Sequence, residues 1–310
     1  MKLISVVSPC YNEEGNVEIL TDRVREIFSN IPQYRYEHII IDNHSTDGTV
    51  KALRDIARKD PNVKVILNAR NFGHIRSPQH AMLEASGDAV IVLLSDLQDP
   101  PEMILDFLRE WETGSPIVVA VKSTSDENSL MYGIRSAYYK TVARLADVNV
   151  LEHFTGFGLY DRQVIEILRR DFRDPQPYFR GQIAEIGLPY KTLHYNQKRR
   201  MRGITKNNFY TLYDMAMLGI TNLSKVPLRL VVFGGFVCAA LSLFAGFAYL
   251  FAKLLFWNRF ELGLAPTMIG LFFLGSVQLI ALGIIGEYIG SIHTIVQDRP
   301  LVTEQERINF

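Results

Sequence analysis

An apolar run passes directly into a polar cluster in Leu3-Ile4-Ser5-Val6-Val7-Ser8-Pro9-Cys10-Tyr11-Asn12-Glu13-Glu14, near the start of the chain. A short, almost unbroken apolar run is typical of a strand that is buried on both faces of a parallel sheet. The run is too short for the hydrophobic part of a signal peptide, and no small-residue cleavage site follows it. We therefore predict a buried strand over Leu3–Ser8, with candidate binding residues directly after it.

The same arrangement recurs three times further along the chain. The apolar segments predicted as strands are His38–Ile41, Val63–Leu67 and Ala89–Leu94. The segments between strands that are predicted as helices are Val17–Phe28, Thr49–Arg58 and Pro78–Ala85. This alternation predicts an α/β fold with a mostly parallel, Rossmann-like sheet and helices on both faces. Ligands bind such sheets at the carboxyl ends of the strands, where the polar clusters fall.

The polar cluster after the second predicted strand contains two acids with different predicted roles. Asp42 ends the strand, where its carboxylate can accept a hydrogen bond from a base or from a ribose hydroxyl. The segment Asp42–Thr49 also has the composition of a turn followed by a helix N-cap. We predict a ligand-binding role for Asp42 and a local capping role for Asp47.

Oxygen ligands follow the fourth predicted strand in Asp96-Leu97-Gln98-Asp99-Pro100-Pro101. Hard divalent cations such as Mg²⁺ prefer oxygen ligands and often bind one or two carboxylates together with substrate phosphates. Two prolines after Asp99 are typical of the start of a helix. We predict that Asp96 and Gln98 bind a metal ion and that Asp99 begins the next helix.

Charge is segregated along the 310 residues, although 33 basic and 33 acidic residues cancel overall. Leu230–Ala252 and Leu262–Gly286 contain no charged residue, and each is long enough to cross a bilayer. Two buried helices in a soluble core are the alternative, but such helices usually keep a polar stripe. The neutral balance argues against nucleic-acid binding, and two cysteines exclude a disulfide framework. We predict two membrane spans, with both chain ends in the cytoplasm.

A basic run lies upstream of the first predicted span. Its residues are Lys198, Arg199, Arg200, Arg202 and Lys206. A solvated surface is the ordinary explanation of such a run, but beside a membrane its cations can bind headgroups or a lipid phosphate. The segment Asn208–Leu223 follows with an apolar helical face, which predicts either an interfacial helix or a packed core helix.

These motifs together resemble the family 2 glycosyltransferases, and more narrowly the branch that includes dolichol-phosphate mannose synthase and the bacterial polyprenyl-phosphate (bactoprenol) glycosyltransferases. The segments that carry the resemblance are Val6–Glu14, Asp42–Thr49, Arg70–Gly73, Asp96–Pro101, Thr155–Arg162, Arg200–Lys206 and Gly286–Gly290. They occur in the family order and cover nearly the whole chain.

The resemblance implies a GT-A fold and inverting transfer of a sugar, most simply a UDP-linked hexose, to polyprenyl phosphate. It implies a Mg²⁺ or Mn²⁺ cofactor, a homo-oligomer, and a location in the bacterial inner membrane. The positions that match the family's nucleoside-binding residues are Pro9, Tyr11, Glu13 and Asp42. Asp96, with Gln98, matches the metal site, and the residues that match the phosphate-binding loop are Arg200, Arg202 and Lys206.

The implied division of the chain has four parts. They are a cytoplasmic glycosyltransferase domain at 1–206, an interfacial helix at 207–227, a transmembrane hairpin at 228–290 and a cytoplasmic tail at 291–310.

Three departures from the family pattern affect the implied site. Leu94 occupies the position of the first acid of the metal motif, and Asn43-His44 replaces the usual Asp-Gly after Asp42. Gly156 and Gly158 stand where many relatives have Asp and Arg, so this motif offers no protein base. A lipid phosphate needs none, because its second pKa is near 6 and it is largely ionised at neutral pH.

Two other functions stay open at this point. A processive polysaccharide synthase would share the fold, and Gln197–Met201 resembles its QxxRW motif, but the tryptophan is missing and two spans are too few for a polymer channel. An inactive membrane protein that binds nucleotide sugars is the second alternative, suggested by Leu94.

Overall fold

The structure is a computed structural model that describes residues 1–124, 154–197, 217, 224–255 and 264–310. In this part of the chain, strands form an eight-stranded sheet. The strands are β1 (Lys2–Cys10), β2 (Tyr34–Asp42), β3 (Val63–Asn68), β4 (Ala89–Val92), β5 (Ile117–Thr124), β6 (Phe154–Asp161), β7 (Tyr190–Asn196) and β8 (Glu304–Ile308). The four strands predicted from the sequence are confirmed as β1 to β4.

The described helices comprise six that belong to the α/β domain and two long apolar ones. They are α1 (Val17–Ser29), α2 (Thr49–Lys59), α3 (Gly73–Glu84), α4 (Met103–Glu112), α5 (Arg162–Asp171), α6 (Phe179–Ile186), α7 (Val226–Leu255) and α8 (Leu264–Val296). The three helices predicted between the first strands are confirmed as α1, α2 and α3.

The strands lie in the order β7-β5-β6-β4-β1-β2-β3-β8. β4, β1, β2 and β3 pair in parallel, whereas β6 and β8 run antiparallel to their neighbours. Alternate residues of β1 pack on opposite faces: Ile4 and Val6 lie in a cluster with α1 and α4, and Val7 lies in a cluster with α3 and α5. The predicted mostly parallel sheet with helices on both faces is confirmed.

The end of the chain returns to the sheet. β8 pairs antiparallel with the edge of β3, and Asn68 at the carboxyl end of β3 pairs with Glu304. Arg76 on α3 donates hydrogen bonds to the carbonyl oxygens of Leu301 (2.7 Å) and Pro300 (2.6 Å). The segment 291–310, expected as a cytoplasmic tail, therefore contains β8, the edge strand of the eight-stranded sheet.

The first uncharged run lies within α7, and the described part of the second, from Leu264 onward, lies within α8. These helices are long and apolar enough to cross a membrane over Val226–Ala248 and Gly270–Val296. Large apolar side chains such as Phe244 and Phe272 are exposed on these helices. The Tyr288 hydroxyl of α8 donates a hydrogen bond to the carbonyl oxygen of Ser224, just before α7 (2.6 Å). The predicted helix at Asn208–Leu223 falls outside the described residues, apart from Met217.

Candidate functional site

The carboxyl ends of β1 to β4 form one rim of the sheet, and the loops that leave it carry unusual backbone. Cys10 and Leu67 are the register partners of Asp42 on the two neighbouring strands. Asn12, His44 and Leu97, in the loops after β1, β2 and β4, have φ angles of 57°, 66° and 57°. Positive φ at a non-glycine residue is strained and is often found at functional sites. The rim is therefore the candidate site.

Hydrogen bonds join the loops after β1 and β2. The Asn12 backbone N–H donates to Ser45 Oγ (2.8 Å), and the Thr46 backbone N–H donates to the side-chain oxygen of Asn12, Oδ1 (2.8 Å). Glu13 is buried, and its carboxylate accepts a hydrogen bond from Asn16 Nδ2 (2.6 Å). Of the predicted nucleoside-binding residues, Pro9 lies in β1 beside Ile41 of β2, and Tyr11 and Glu13 lie in the loop that follows β1. The Glu13 backbone N–H donates to Thr49 Oγ1 at the start of α2 (2.9 Å).

The Asp42 carboxylate is only 1% exposed and closes a local turn. The Ser45 backbone N–H donates to its Oδ2 (2.9 Å), and the Ser45 hydroxyl donates to its Oδ1. Burial, with the nearby Asp42 charge, raises the pKa of the Cys10 thiol, which therefore stays protonated and faces Oδ1 at 3.7 Å. Asp42 lies at the predicted place, and its role as a nucleoside ligand stays a prediction.

Asp47 holds the start of α2, as its predicted capping role requires. Its Oδ1 accepts a hydrogen bond from the Thr49 backbone N–H (3.0 Å), and its Oδ2 accepts one from the Glu14 backbone N–H (3.4 Å). These two bonds tie the loop after β1 to the first turn of α2.

Asn43 organises the loop after β3, a role that sequence reasoning missed. Its Nδ2 donates to Asn71 Oδ1 (2.9 Å) and to the Gly73 carbonyl oxygen (3.0 Å). Its Oδ1 accepts from the Phe72 backbone N–H (2.8 Å) and from Asn68 Nδ2 (3.2 Å). An aspartate at this position would lack the two donated hydrogen bonds. Asn43, which departs from the family pattern, therefore holds the loop after β3 in place. The sequence around Asn43 does not indicate these contacts, because the partners belong to another loop.

The loop after β4 carries the predicted metal ligands. Asp96 and Gln98 are half-buried, and the Gln98 backbone N–H donates to Asp96 Oδ1 (3.2 Å). Leu97 between them is buried in the core with positive φ, so the two polar side chains flank a fixed turn.

The prediction that Asp99 begins a helix is wrong. α4 begins at Met103, and the Asp99 side chain instead accepts a hydrogen bond from the Tyr195 hydroxyl on β7. Asp99 is 1% exposed, and its Oδ2 has no hydrogen-bond partner among the described residues. The partner lies far away in sequence, so the local proline pattern could not indicate it.

Charges around Asp99 link the β4 loop to the end of β7. Burial raises the pKa of Asp99, and the charge of the neighbouring Asp96 raises it further. The Tyr195 hydrogen bond and the charge of Lys122 act in the opposite direction. Lys122 Nζ on β5 donates to Gln197 Oε1 (2.7 Å). Gln197 follows β7 and is the last described residue before the basic run. The predicted phosphate-binding residues lie outside the described residues: Arg200, Arg202 and Lys206.

The residues of the β4 loop have the chemistry to bind a divalent cation whose coordination shell is completed by the substrate. In the described part of the chain, no group of three or more His, Cys, Asp and Glu residues could hold a metal ion. Asp96 and Gln98 supply oxygen ligands, and the unpartnered oxygen of Asp99 lies in the same loop. Mg²⁺ commonly binds one or two carboxylates and takes the remaining ligands from water and phosphates.

Gly156 and Gly158 on β6 disfavour side chains for two different reasons. A Cβ atom at Gly158 would lie 2.4 Å from the Val118 carbonyl oxygen on β5. Gly156 has a φ of 101°, a conformation that favours glycine. The close pairing at Gly158 and the backbone conformation at Gly156 thus explain why this motif offers neither the acid nor the arginine of its relatives.

Comparison with known proteins defines the class to which this fold and site belong. Residues 5–168 match the family model of glycosyl transferase family 2. The bactoprenol glucosyl transferase derived from the SfII prophage of Shigella flexneri is 32% identical over 298 residues, which make up 96% of this chain and 96% of that protein. The prophage bactoprenol glucosyl transferase homolog of Escherichia coli is 30% identical over 298 residues, again 96% of both chains.

Among solved structures, glucosyl-3-phosphoglycerate synthase from Mycobacterium tuberculosis with Mg²⁺ and UDP is similar with a TM-score of 0.47 and 19% identity, over 71% of this chain and 77% of that chain. The sequence matches show the family directly. The chain belongs to glycosyl transferase family 2 and is a glycosyltransferase.

Proposed function

We propose that the protein transfers a hexose from a UDP-linked donor to polyprenyl phosphate in the bacterial inner membrane, with inversion at the anomeric carbon. The observation that carries this proposal is the match to bactoprenol glucosyl transferases over 96% of the chain. That match extends beyond the α/β domain into the two apolar helices, so the relatives share the membrane part as well. An acceptor embedded in the membrane accounts for both parts.

The donor nucleoside in this proposal lies at the rim formed by β1 and β2. The residues that would contact it are Pro9, Tyr11, Glu13 and Asp42. Support comes from the hydrogen bonds that join the two loops around Asn12 and Ser45, since a site fixed before binding loses little entropy when the ligand arrives.

A divalent cation, Mg²⁺ or Mn²⁺, would be held by Asp96 and Gln98 in the β4 loop. When bound, such an ion offsets the negative charge that develops on the departing nucleoside diphosphate. The hydrogen bond between Asp99 and Tyr195 of β7 holds this loop in place. Because Leu94 supplies no carboxylate, phosphate oxygens of the donor would complete the coordination shell.

The acceptor phosphate would be held by Arg200, Arg202 and Lys206. Support comes from Gln197, the residue before the basic run, which accepts a hydrogen bond from Lys122 (2.7 Å) and donates one to Asp99 (3.5 Å). The lipid phosphate is largely ionised near neutral pH, so it attacks the anomeric carbon without a protein base. One displacement inverts the configuration, and catalysis rests on orientation and on charge stabilisation.

The catalytic domain lies on the cytoplasmic side, where nucleotide sugars are made, and α7 and α8 span the membrane. Support comes from their length, their apolar composition and their exposed side chains. A homo-oligomeric assembly stays a prediction from the resemblance.

The proposal is tested by incubating the full chain in detergent with undecaprenyl phosphate and radiolabelled nucleotide sugars. Donors are UDP-glucose, UDP-galactose, UDP-N-acetylglucosamine and GDP-mannose. We expect label in the organic phase with a UDP-hexose, only in the presence of the acceptor and a divalent cation. Absence of organic-phase label with every donor, or equal label without the lipid, would overturn the proposal.

A further inference from the structure

The path of the chain after α8 places the membrane close to one end of the catalytic sheet. α8 ends at Val296, and β8 begins at Glu304, which pairs with Asn68 at the carboxyl end of β3. Eight residue steps of extended chain span at most about 28 Å. The carboxyl end of β3 therefore lies within that distance of the end of a helix with the length and composition of a membrane span.

Three arginines meet at this corner of the molecule. The Arg70 guanidinium lies 3.9 Å from the centre of the Phe72 ring, and the Arg76 guanidinium lies 5.3 Å from the same ring. Arg76 also donates to the carbonyl oxygens of Pro300 and Leu301, directly after Arg299. Arg70 and Arg299 are exposed, and Arg76 is half-buried.

The cluster holds more positive charge than its surroundings neutralise. Burial, together with the charges of Arg70 and Arg299, lowers the pKa of the Arg76 guanidinium. Among the described residues, none of the three arginines forms an ion pair with a carboxylate, although Asp298 is the neighbour of Arg299 in the sequence. An anion at this corner would relieve the repulsion among the three cations.

We propose that Arg70, Arg76 and Arg299 form a binding site for the phosphate group of an anionic membrane phospholipid. A guanidinium group binds two phosphate oxygens at once, and stacking on Phe72 fixes the orientation of two of these groups before binding. Arg299 lies three residues beyond α8, at the depth where headgroups meet a membrane span. Lipid binding at this site would hold the carboxyl end of β3 in the catalytic domain against the membrane surface.

A free phosphate or a nucleotide is the other possible source of such a group. The headgroup is favoured because Arg299 belongs to the segment that leaves α8, whereas the proposed nucleoside site lies at the ends of β1 and β2. The inference rests on the membrane placement of α8 in the proposed function, and it does not depend on which sugar is transferred.

The test measures ligand binding to the full chain in a neutral detergent by isothermal titration calorimetry. The probes are dihexanoyl phosphatidylglycerol, dihexanoyl phosphatidylcholine, inorganic phosphate and UDP. The test variant is Arg70→Gln combined with Arg299→Gln, which leaves Arg76 in place because it holds the returning chain. The matched control is Arg58→Gln with Arg109→Gln, whose side chains are 75% and 73% exposed at the C-terminal ends of α2 and α4.

We expect phosphatidylglycerol to bind at least tenfold more tightly than phosphatidylcholine. The Arg70/Arg299 variant should lose at least tenfold in affinity for phosphatidylglycerol, and the control should stay within twofold. Equal binding of the two lipids, or an unchanged affinity in the test variant, would overturn the proposal. So would a parallel loss of UDP or phosphate binding, which would assign the cluster to a soluble ligand.

If the double variant lowers the melting temperature, Arg299→Gln alone replaces it, because this exposed side chain lies in the segment between α8 and β8. A threefold or greater loss of phosphatidylglycerol affinity then supports the site, and a smaller loss contradicts it. Because binding is measured without turnover, a protein with no transferase activity would leave this result interpretable.

Discussion

Asp96 is the single residue on which the proposed metal-assisted transfer depends most. Replacing it in Asp96→Asn removes a charged ligand for the cation that stabilises the leaving diphosphate. We expect transfer to fall by roughly a hundredfold or more, with little change in melting temperature because the side chain is half-buried. The measurement is the initial rate of lipid-linked product at saturating donor.

Asp106→Asn is the matched control for this substitution, since Asp106 is an exposed acid on α4 that pairs with Arg109. It should retain nearly the full rate. Near-normal turnover of Asp96→Asn, or full activity of the parent protein in EDTA, would contradict a metal-assisted mechanism.

Asp99 and Tyr195 form a buried pair, and substitutions of the two residues are predicted to change stability in opposite directions. Tyr195→Phe removes the hydroxyl that donates to the Asp99 carboxylate, so it should lower the free energy of unfolding by about 1–3 kcal/mol. Burial raises the pKa of Asp99, so the folded state binds a proton more readily than the unfolded state. Stability contributed by this group is therefore lost as pH rises from the unfolded pKa through the folded pKa.

Whenever Asp99 is ionised, its buried charge costs stability, and Asp99→Asn avoids this cost. We expect an unchanged or higher melting temperature for Asp99→Asn and a lower one for Tyr195→Phe, both followed by thermal unfolding in detergent. A larger loss of stability in Asp99→Asn than in Tyr195→Phe would show that the buried charge is stabilised by its surroundings.

The buried His38 on β2 is expected to make the stability of the domain sensitive to acid. Burial lowers its pKa from the usual 6.5 to about 3, so it stays neutral when folded and becomes charged when unfolded. Because the unfolded state binds more protons, stability falls as pH drops below 6.5, by about 2–3 kcal/mol at pH 4.5. His38→Gln can still reach the Ser8 hydroxyl, now 2.9 Å from Nε2, and should flatten this slope.

Thermal unfolding between pH 7 and pH 4.5 measures the effect, and comparison with the parent protein cancels the carboxylates that begin to titrate near pH 4.5. His194→Gln serves as the control, because His194 is exposed. An acid slope in His38→Gln as steep as that of the control would disprove the assignment to His38.

Among the elements, the parallel half of the sheet could be predicted from the sequence, because β1 to β4 are buried on both faces and read as apolar runs. β6 could not, since two glycines interrupt its apolar pattern, Gly158 because it pairs closely with β5 and Gly156 because its φ is positive. β8 carries the charged residues Glu304, Glu306 and Arg307 and pairs with a strand more than two hundred residues earlier. Pairing over such a separation leaves no local signal.

The returning strand also changes how the role of the membrane hairpin should be tested. Cutting the chain after Ser224 would remove the hairpin and, with it, β8, which would leave the edge of β3 unpaired. A flexible linker in place of residues 226–297 removes the hairpin and keeps β8. We expect this protein to fold and to transfer at least tenfold more slowly to undecaprenyl phosphate in vesicles than the full chain.

Transfer by the linker protein to a short, water-soluble prenyl phosphate should stay within a few fold of the full chain, which separates loss of access from loss of catalysis. Full activity on the acceptor in vesicles would show that α7 and α8 serve only as an anchor. The truncation after Ser224 is the companion variant, and it should unfold at a lower temperature than the linker protein.

For the whole molecule, the sequence predicted the positions of the candidate residues better than the contacts that hold them in place. The rim with Asp42 and Asp96 followed from the rule that ligands bind at the carboxyl ends of strands. The contacts that fix the rim, from Asn43 to the β3 loop and from Tyr195 to Asp99, depend on residues that only folding brings together. A single sequence specifies such side-chain partners through packing, which local patterns do not record.

The most direct test of the proposed transfer is the mass of the lipid product formed by the full chain from a UDP-hexose and undecaprenyl phosphate. We expect a single product heavier than the acceptor by one hexose residue, formed by the parent protein and nearly absent with Asp96→Asn. A ladder of products with increasing numbers of hexoses would identify a processive synthase. Donor binding without any product would identify an inactive binding protein, and either result would contradict the proposed transfer.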